Sequence, residues 1–499
     1  MNTTMTPPQT DMPQYEITDK DKKRQQAIED AWNAYNGLLP PPLNKMPDGT
    51  DPNVMSNRCM AVVDRGVDFL FGKEIEITCE EGSPQEAQDF LNEVWGRKET
   101  RIPLLQKLAM NGAIAGRAFL RIVPEPDKNF RLIEVDPAIV SVETAPQDCE
   151  TVLLFCIQYC CDEKNELGKP IKRYYREEIT RIDPDQDGDS GNPFADKDAT
   201  WQIQHWTQVS SSGLIPKNNS WIPAGEPIIW PYPFPPISSC QNLPRPNDFW
   251  GMPDITPSII GINKGINLVQ SCVSLVEILY GKPILYVTGA GEGSIDFDPG
   301  KIIGLPLDTS KIVAVTLTSD VPNALAFLNN LRSDIDEESG VPGVATGRIA
   351  DLPHGAMPGI TIELMHSPLL MKTDKKRCTY GELIIDVSKA LLVLNGMSDD
   401  IDITLAWQSP LPHDDLVSVQ AAIAKRELDI SNTTLQKELG YDPEEEAELT
   451  KAEDAQKIIA FSQGVGLPPA MPGVQPLPGQ PPQTPTVQPG QASTLQGVK

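Results

Sequence analysis

Val287-Thr-Gly-Ala-Gly-Glu-Gly-Ser294 is the stretch most suggestive of chemistry, because a glycine-rich turn behind a strand-like run can cradle phosphate with its backbone amides. It lacks the Gly-Lys-Ser/Thr ending that would add an ammonium, and Ser294-Ile-Asp-Phe-Asp-Pro299 postpones any helix whose N-terminus could hold an anion. A turn between two strands is the better reading. Cys156, Cys160 and Cys161 form the one cysteine cluster, within the alternating run Val152–Cys161, where such side chains fill a strand. His205, His354, His366 and His413 lie far from it in sequence, so no metal-ligand set emerges. The carboxylate pairs Asp334/Asp336 and Asp399/Asp400 are unsurprising among 69 acidic residues. No catalytic residue, metal or cofactor is expected.

Nine cysteines, odd in number, scattered and without a Cys-x-x-Cys pair, argue against a disulfide framework. A chain of 499 residues with 39% hydrophobic content can build several domains around a substantial core. The N-terminus lacks the regions of a signal peptide, and no run approaches the roughly 18 consecutive apolar residues of a membrane span. A soluble cytosolic protein with no membrane partner is expected. The net charge of −27 opposes a protein that grips DNA through clustered Lys and Arg. A channel through which DNA slides has the opposite need, and carboxylates more than a Debye length of about 8 Å from its lumen are screened.

Punctuation divides the chain. Residues 1–20 and the Pro/Gln-rich tail after Gly464 read as disordered, and a polar helix is expected from about Lys22 to Asn36. Ser83-Pro-Gln-Glu86 reads as a capping box opening a helix that carries Phe90, Leu91, Val94 and Trp95. Alternation predicts strands over 117–123, 151–160, 171–183 and 200–209, an α+β body. The proline-rich stretch Pro223–Pro253 reads as an irregular arm.

Beyond the arm, Ile262, Ile266, Val269, Val273, Val276 and Tyr280 recur at steps of four and three, the seam of a helix packed lengthwise on another. Leu268, Cys272, Leu275 and Leu279 form a second seam, leaving Asn263, Asn267, Gln270, Ser271, Ser274 and Glu277 on the remaining arc. Strand-like Pro283–Thr288 and Lys311–Thr318 follow. A second helix is signalled by Ser319 and Asp320, with Pro322 in its first turn and Ala324, Leu328, Leu331 and Ile335 in its stripe. The Gly/Pro-rich loop from Gly340 to Pro358 suits a mobile, exposed position. The helical pattern from Gly359 to Leu394 would run about 54 Å, bent at Pro368, with its end from Leu383 enclosed by other elements or subunits. Ile401–Trp407 alternates as a strand expected to rejoin the earlier sheet, and helices are expected over 414–427, 432–439 and 443–461.

Met357-Pro-Gly-Ile-Thr-Ile-Glu-Leu364 and Leu369-Leu-Met-Lys372 resemble the tunnel loop and long kinked helix of siphovirus-type portal proteins of tailed bacteriophages. Asn57–Lys73 with its Phe-Gly-Lys ending, Gly116–Ile122 with Glu134-Val-Asp-Pro137, Phe249–Ile255, and Leu428–Pro443 resemble further family segments in the same order. The resemblance covers about residues 53–461. It implies a portal fold assembled as a ring, dodecameric in the virion. Its parts would be an N-terminal arm and helix (1–52), a mixed α/β wing (53–253), a stem helix (254–282), a small β-containing clip (283–318) and a second stem helix (319–339). A tunnel loop (340–358), the long kinked helix (359–395), a strand returning to the wing (396–412), a helical crown (413–463) and the tail (464–499) would complete it.

The implied partners are other copies of the chain, double-stranded DNA, the large terminase, a head-tail adaptor, and the major capsid and scaffolding proteins. The implied location is the virion's portal vertex, with host cytoplasm during assembly. On the long helix, Lys372, Lys375 and Lys376 fall within about 100° of one another and are candidates for a basic ring facing DNA, with Arg348 and His354 in the loop as further candidates. Ile262, Ile266, Val269, Val273, Val276, Leu268 and Leu275 are candidates for contacts between subunits. A non-viral ring-forming scaffold that binds only protein is the alternative reading, and an enzyme a more distant one.

Overall fold

The computed structural model describes residues 12–411 except 81, 97, 127–128, 165–169, 183–198, 211–219, 282–283, 289–310, 316–320, 349–358 and 399, and a few scattered residues beyond 411. In chain order the elements are α1 (Asp19–Tyr35), α2 (Arg58–Phe71), β1 (Ile75–Cys79), α3 (Gln85–Trp95), α4 (Lys98–Ala115), β2 (Arg117–Pro124) and β3 (Phe130–Val135). There follow β4 (Val140–Ala145), β5 (Asp148–Lys164), β6 (Pro170–Ile182), β7 (Thr200–Ser210), β8 (Ile222–Pro223), β9 (Ile228–Trp230) and β10 (Ile237–Gln241). The chain continues with α5 (Pro257–Gly281), β11 (Ile284–Thr288), β12 (Lys311–Val315), α6 (Val321–Ser339), α7 (Gly359–Leu394) and β13 (Ile403–Trp407). Residues 1–412 form one compact unit and 413–499 a second, where Ser431 Oγ accepts the Thr434 N–H at 3.3 Å in a helix-start cap.

The start of the chain is better tied down than its composition predicts. Thr18 caps α1, its hydroxyl accepting the Asp21 N–H at 3.2 Å while the Asp21 carboxylate accepts the Thr18 N–H at 3.0 Å. The helix therefore begins three residues before the expected Lys22. Upstream, the Gln14 and Tyr15 N–H groups each donate to the Glu178 carboxylate at 2.9 Å, so residues 14 and 15 are docked on β6 rather than loose. The box expected at Ser83 is not made. Pro84 itself occupies the cap position in extended conformation, which leaves Ser83 one residue too far out.

The largest sheet is antiparallel in the order β4-β5-β6-β7-β8, with β9 also on β7; its two long pairings run from Leu154↔Thr180 to Lys164↔Pro170 and from Lys172↔Ser210 to Ile182↔Thr200. A second sheet has the order β10-β2-β3. Its edge strand β10 comes from the proline-rich stretch expected to be irregular. Pro235 and Pro236 precede it and Pro244 and Pro246 follow it, so no proline N–H is missing from the ladder itself. β13 pairs with β1, from Ile75↔Trp407 to Cys79↔Ile403, and not with the strands of 117–209. It ties the two halves of the chain together through a separate two-stranded sheet. β11 and β12 pair antiparallel as the alternation predicted.

One core joins α2, α3, α4 and the second half of α7, where Leu383, Ile384, Val387, Leu391 and Leu392 are all buried. The apolar end of the long helix is thus enclosed by its own chain. Trp95 Nε1 donates to Ser388 Oγ at 2.9 Å, fixing α3 against it. Gly112 on α4 is required by close approach, because any Cβ there would strike the Tyr380 hydroxyl.

Candidate assembly face and buried ion cluster

Helix α5 has its polar side in and much of its apolar side out. Asn263, Asn267 and Ser271 are spaced four apart, so they form one line along the helix, and all three are buried. Residues 54–57 and Arg58, the first residue of α2, lie along that line. Asn263 Oδ1 accepts the Arg58 N–H and Asn267 Oδ1 the Ser56 N–H, both at 2.9 Å. Ser271 Oγ accepts the Val54 N–H at 3.0 Å, and Asn263 Nδ2 donates to the Ser56 carbonyl at 3.1 Å. These side chains replace a missing strand partner for residues 54–58, whose backbone groups would otherwise lie unsatisfied against a helix.

Helix α6 returns antiparallel to α5: Thr256 and Ser258 hydroxyls donate to the Glu338 carboxylate at 3.2 and 2.9 Å, and Gly265 faces Leu331. Between these contacts the two predicted seams separate. Ile266 is fully buried in the chain's own core, and Ile262 and Val269 are half-buried against it. Val273, Leu275 and Val276 are half-buried, Cys272 is exposed, and Leu268 is 44% exposed. On α6, Leu325 and Phe327 are 46% and 53% exposed. Only 28% of the most apolar stretch of Pro257–Leu279 is buried, so α5 is not a core helix. By length and composition that stretch could cross a bilayer. Its companion α6 carries Asp334, Asp336, Glu337 and Glu338, which hydrocarbon would not tolerate.

Where α5 begins, Asp254 is fully enclosed and receives two lysines of α7. Lys376 Nζ lies 2.5 Å from Asp254 Oδ2 and Lys372 Nζ 3.2 Å from Oδ1. Asn242 Nδ2 adds a hydrogen bond to Oδ1 at 3.0 Å, and Asn242 Oδ1 accepts from Tyr380 Oη at 3.2 Å. Lys372 also donates to the Ser339 carbonyl at 2.9 Å, holding the last residue of α6. Burial alone would raise the Asp254 carboxyl, but the ammonium of Lys376, then that of Lys372, holds it down to about 2. Burial pushes Lys376 down despite its partner, and Lys372 repels it further. Two cations thus over-compensate the one anion, while burial and a neighbouring ammonium leave the deeper cation under-compensated.

The predicted basic ring is corrected accordingly. Lys376 is buried and Lys372 mostly so, both committed to Asp254, while Lys375 alone of the three is exposed. Arg348 pairs with Asp336, and its N–H donates to the Gly343 carbonyl at 3.0 Å, so residues 341–348 form a folded turn with Val341 buried rather than a free loop. His354 lies outside the described residues, as does the glycine-rich stretch beyond Thr288. His366 on α7 stacks on Phe69, ring centres 5.9 Å apart. Cys156 is buried and its thiol pushed up to about 12 by that burial, which leaves it unreactive. Among the described residues, no group of three or more His, Cys, Asp or Glu is placed to hold a metal.

A family profile described as "Phage portal protein, SPP1 Gp6-like" matches residues 15–459. Two solved structures are similar in outline. One is from the "Neck of native GTA particle computed with C12 symmetry", with 13% identity, TM-score 0.42, and coverage of 77% of this chain and 90% of that one. The other is from the "Virion of native gene transfer agent (GTA) particle", with 11% identity, TM-score 0.39, and coverage of 83% and 94%. Similarity this slight carries no functional weight. No curated protein matches.

Proposed function

This chain belongs to the SPP1 Gp6-like family of phage portal proteins, and from that premise we propose that twelve copies close into a ring at one vertex of a phage head, the conduit for double-stranded DNA during packaging and ejection. The observation that carries the ring is α5, which commits its polar stripe to residues 54–58 and leaves Leu268 and Cys272 on the outside. Fully burying a Leu or Phe is worth about 1.5–3 kcal/mol, so Leu268, Leu325 and Phe327, already about half-covered, would each gain about 1 kcal/mol against a neighbour.

Within that ring, 53–253 is the wing, α5 and α6 the stem, β11 and β12 the clip, 340–358 the tunnel loop and 413–463 the crown. The clip docks the large terminase, which supplies ATP hydrolysis, and later a head-tail adaptor; capsid and scaffolding proteins surround the wing. Lys375 and the loop carrying Arg348 and His354 are the remaining candidates for touching DNA. The acidic net charge suits a wall along which a duplex slides. A non-viral scaffold of protein-binding rings has no support from the family. Electron microscopy of the purified full chain is expected to show rings with a central hole wide enough for a duplex. Monomers, or rings closed at the centre, would overturn the proposal.

A further inference from the structure

Three arginines gather beside the α5–α6 pair: Arg58, the first residue of α2; Arg332 on α6; and Arg348 in the turn beyond α6. The Arg58 N–H meets Asn263 and Leu331 packs on Gly265, so Arg58 and Arg332 flank the same turn of α5; burial lowers the Arg58 guanidinium, and the charges of Arg332 and Arg348 lower it further. Asp336 pairs with Arg348, and Glu338 is engaged by Thr256 and Ser258. The Arg58 guanidinium has no hydrogen-bond or ion-pair partner among the described residues, and its Nε is buried. Among the described residues Arg332 reaches only the Asn329 Oδ1, at 3.3 Å, and its Nε is buried and unbonded as well.

Half-buried guanidinium groups without anions are costly, and a chain with 69 acidic and 42 basic residues has no shortage of carboxylates to place there. Arg332 stands seven residues, two helical turns, beyond the exposed Leu325, so both lie on one face of α6. That face is part of the proposed assembly surface. Resting on the ring reading, we infer that Arg58 and Arg332 form a socket for an Asp or Glu side chain of a second copy of this chain. A protruding carboxylate can reach half-sunken guanidinium groups and bind them bidentately, which the phosphates along a smooth duplex reach less readily.

The test is the double variant Arg58→Gln/Arg332→Gln of the full chain, with ring and monomer fractions measured by sedimentation against protein and NaCl concentration. The concentration at which rings fall apart is expected to rise about tenfold or more, the scale of one lost charge-assisted pair, with partial recovery in Arg58→Lys/Arg332→Lys. Thermal unfolding checks the fold, and Arg332→Gln alone, at a side chain with a single neutral contact among the described residues, repeats the test should the double variant unfold. Unchanged ring stability overturns the socket. So does a variant that keeps its rings but loses retention of duplex DNA, since the anion would then be phosphate. Wild-type protein that never forms rings refutes the ring reading itself.

Discussion

Replacing Asp254 with alanine is expected to cost about 3–5 kcal/mol of stability, the range for leaving a buried charge without its partner. The site makes the penalty asymmetric. Asp254→Ala strands the Lys376 ammonium in the core, with Lys372 still nearby to repel it. Lys376→Met instead leaves the Asp254 carboxylate with Lys372 at 3.2 Å and the Asn242 amide at 3.0 Å, and is expected to cost far less. Denaturant unfolding of the two variants at pH 7 measures the difference; equal losses would mean that the cluster is not arranged as two cations around one anion.

The same carboxylate sets an acid limit. Its pKa is lowered from 3.8 to about 2 on folding, so its contribution, on the order of 2 kcal/mol, is complete above pH 3.8 and is lost as pH falls towards 2. Asp254→Asn should flatten that part of the stability profile.

The double variant Leu268→Asp/Phe327→Asp is expected to yield a folded monomer that forms no rings. In the isolated chain both side chains are about half exposed, so stability should change by only about 0.5 kcal/mol. At an interface between copies each new carboxylate would be stripped of water without a cation, at several kcal/mol per contact, repeated around the ring. Size-exclusion chromatography with light scattering reads the result. Rings of normal stability would place both residues outside the contact.

How far the amino-acid sequence leads can be seen at α5 and α7. The bounds of α7 were legible because Gly359 and the break after Leu394 are local signals, and the run from Leu383 is apolar save for Asp386, Ser388 and Lys389. The apolar spacing of α5 was legible too, yet its orientation was not. Asn263, Asn267 and Ser271 carry no local sign of what they face, and their partners at 54–58 lie more than 200 residues away with no periodic mark of their own. Lys372 and Lys376 do share a side of α7, as helical spacing requires, but the acid that claims them is 122 residues from Lys376 and is one of 69. Proline content hid β10 because it registers the flanks of a short strand as strongly as its interior. At α5 and α7 a long-range partner overrides a locally correct reading.

The ion cluster and the assembly face belong to one arrangement. Asp254 fixes the base of α5, Lys372 holds the end of α6 through the Ser339 carbonyl, and the stripe bound to residues 54–58 sets the rotation that turns Leu268 outward. Rigid placement of both helices lets an exposed seam meet the same seam context on every neighbour.

Cys272 provides the most direct test, since it is a native thiol in the outward seam of α5, one turn from Leu268. Maleimide labelling of the purified wild-type assembly, with the labelled residue identified by peptide mass spectrometry, is expected to find Cys272 protected in rings and reactive in the Leu268→Asp/Phe327→Asp monomer. Equal, rapid labelling of Cys272 in both would contradict the account, because the seam would then face solvent and no neighbouring copy would cover it.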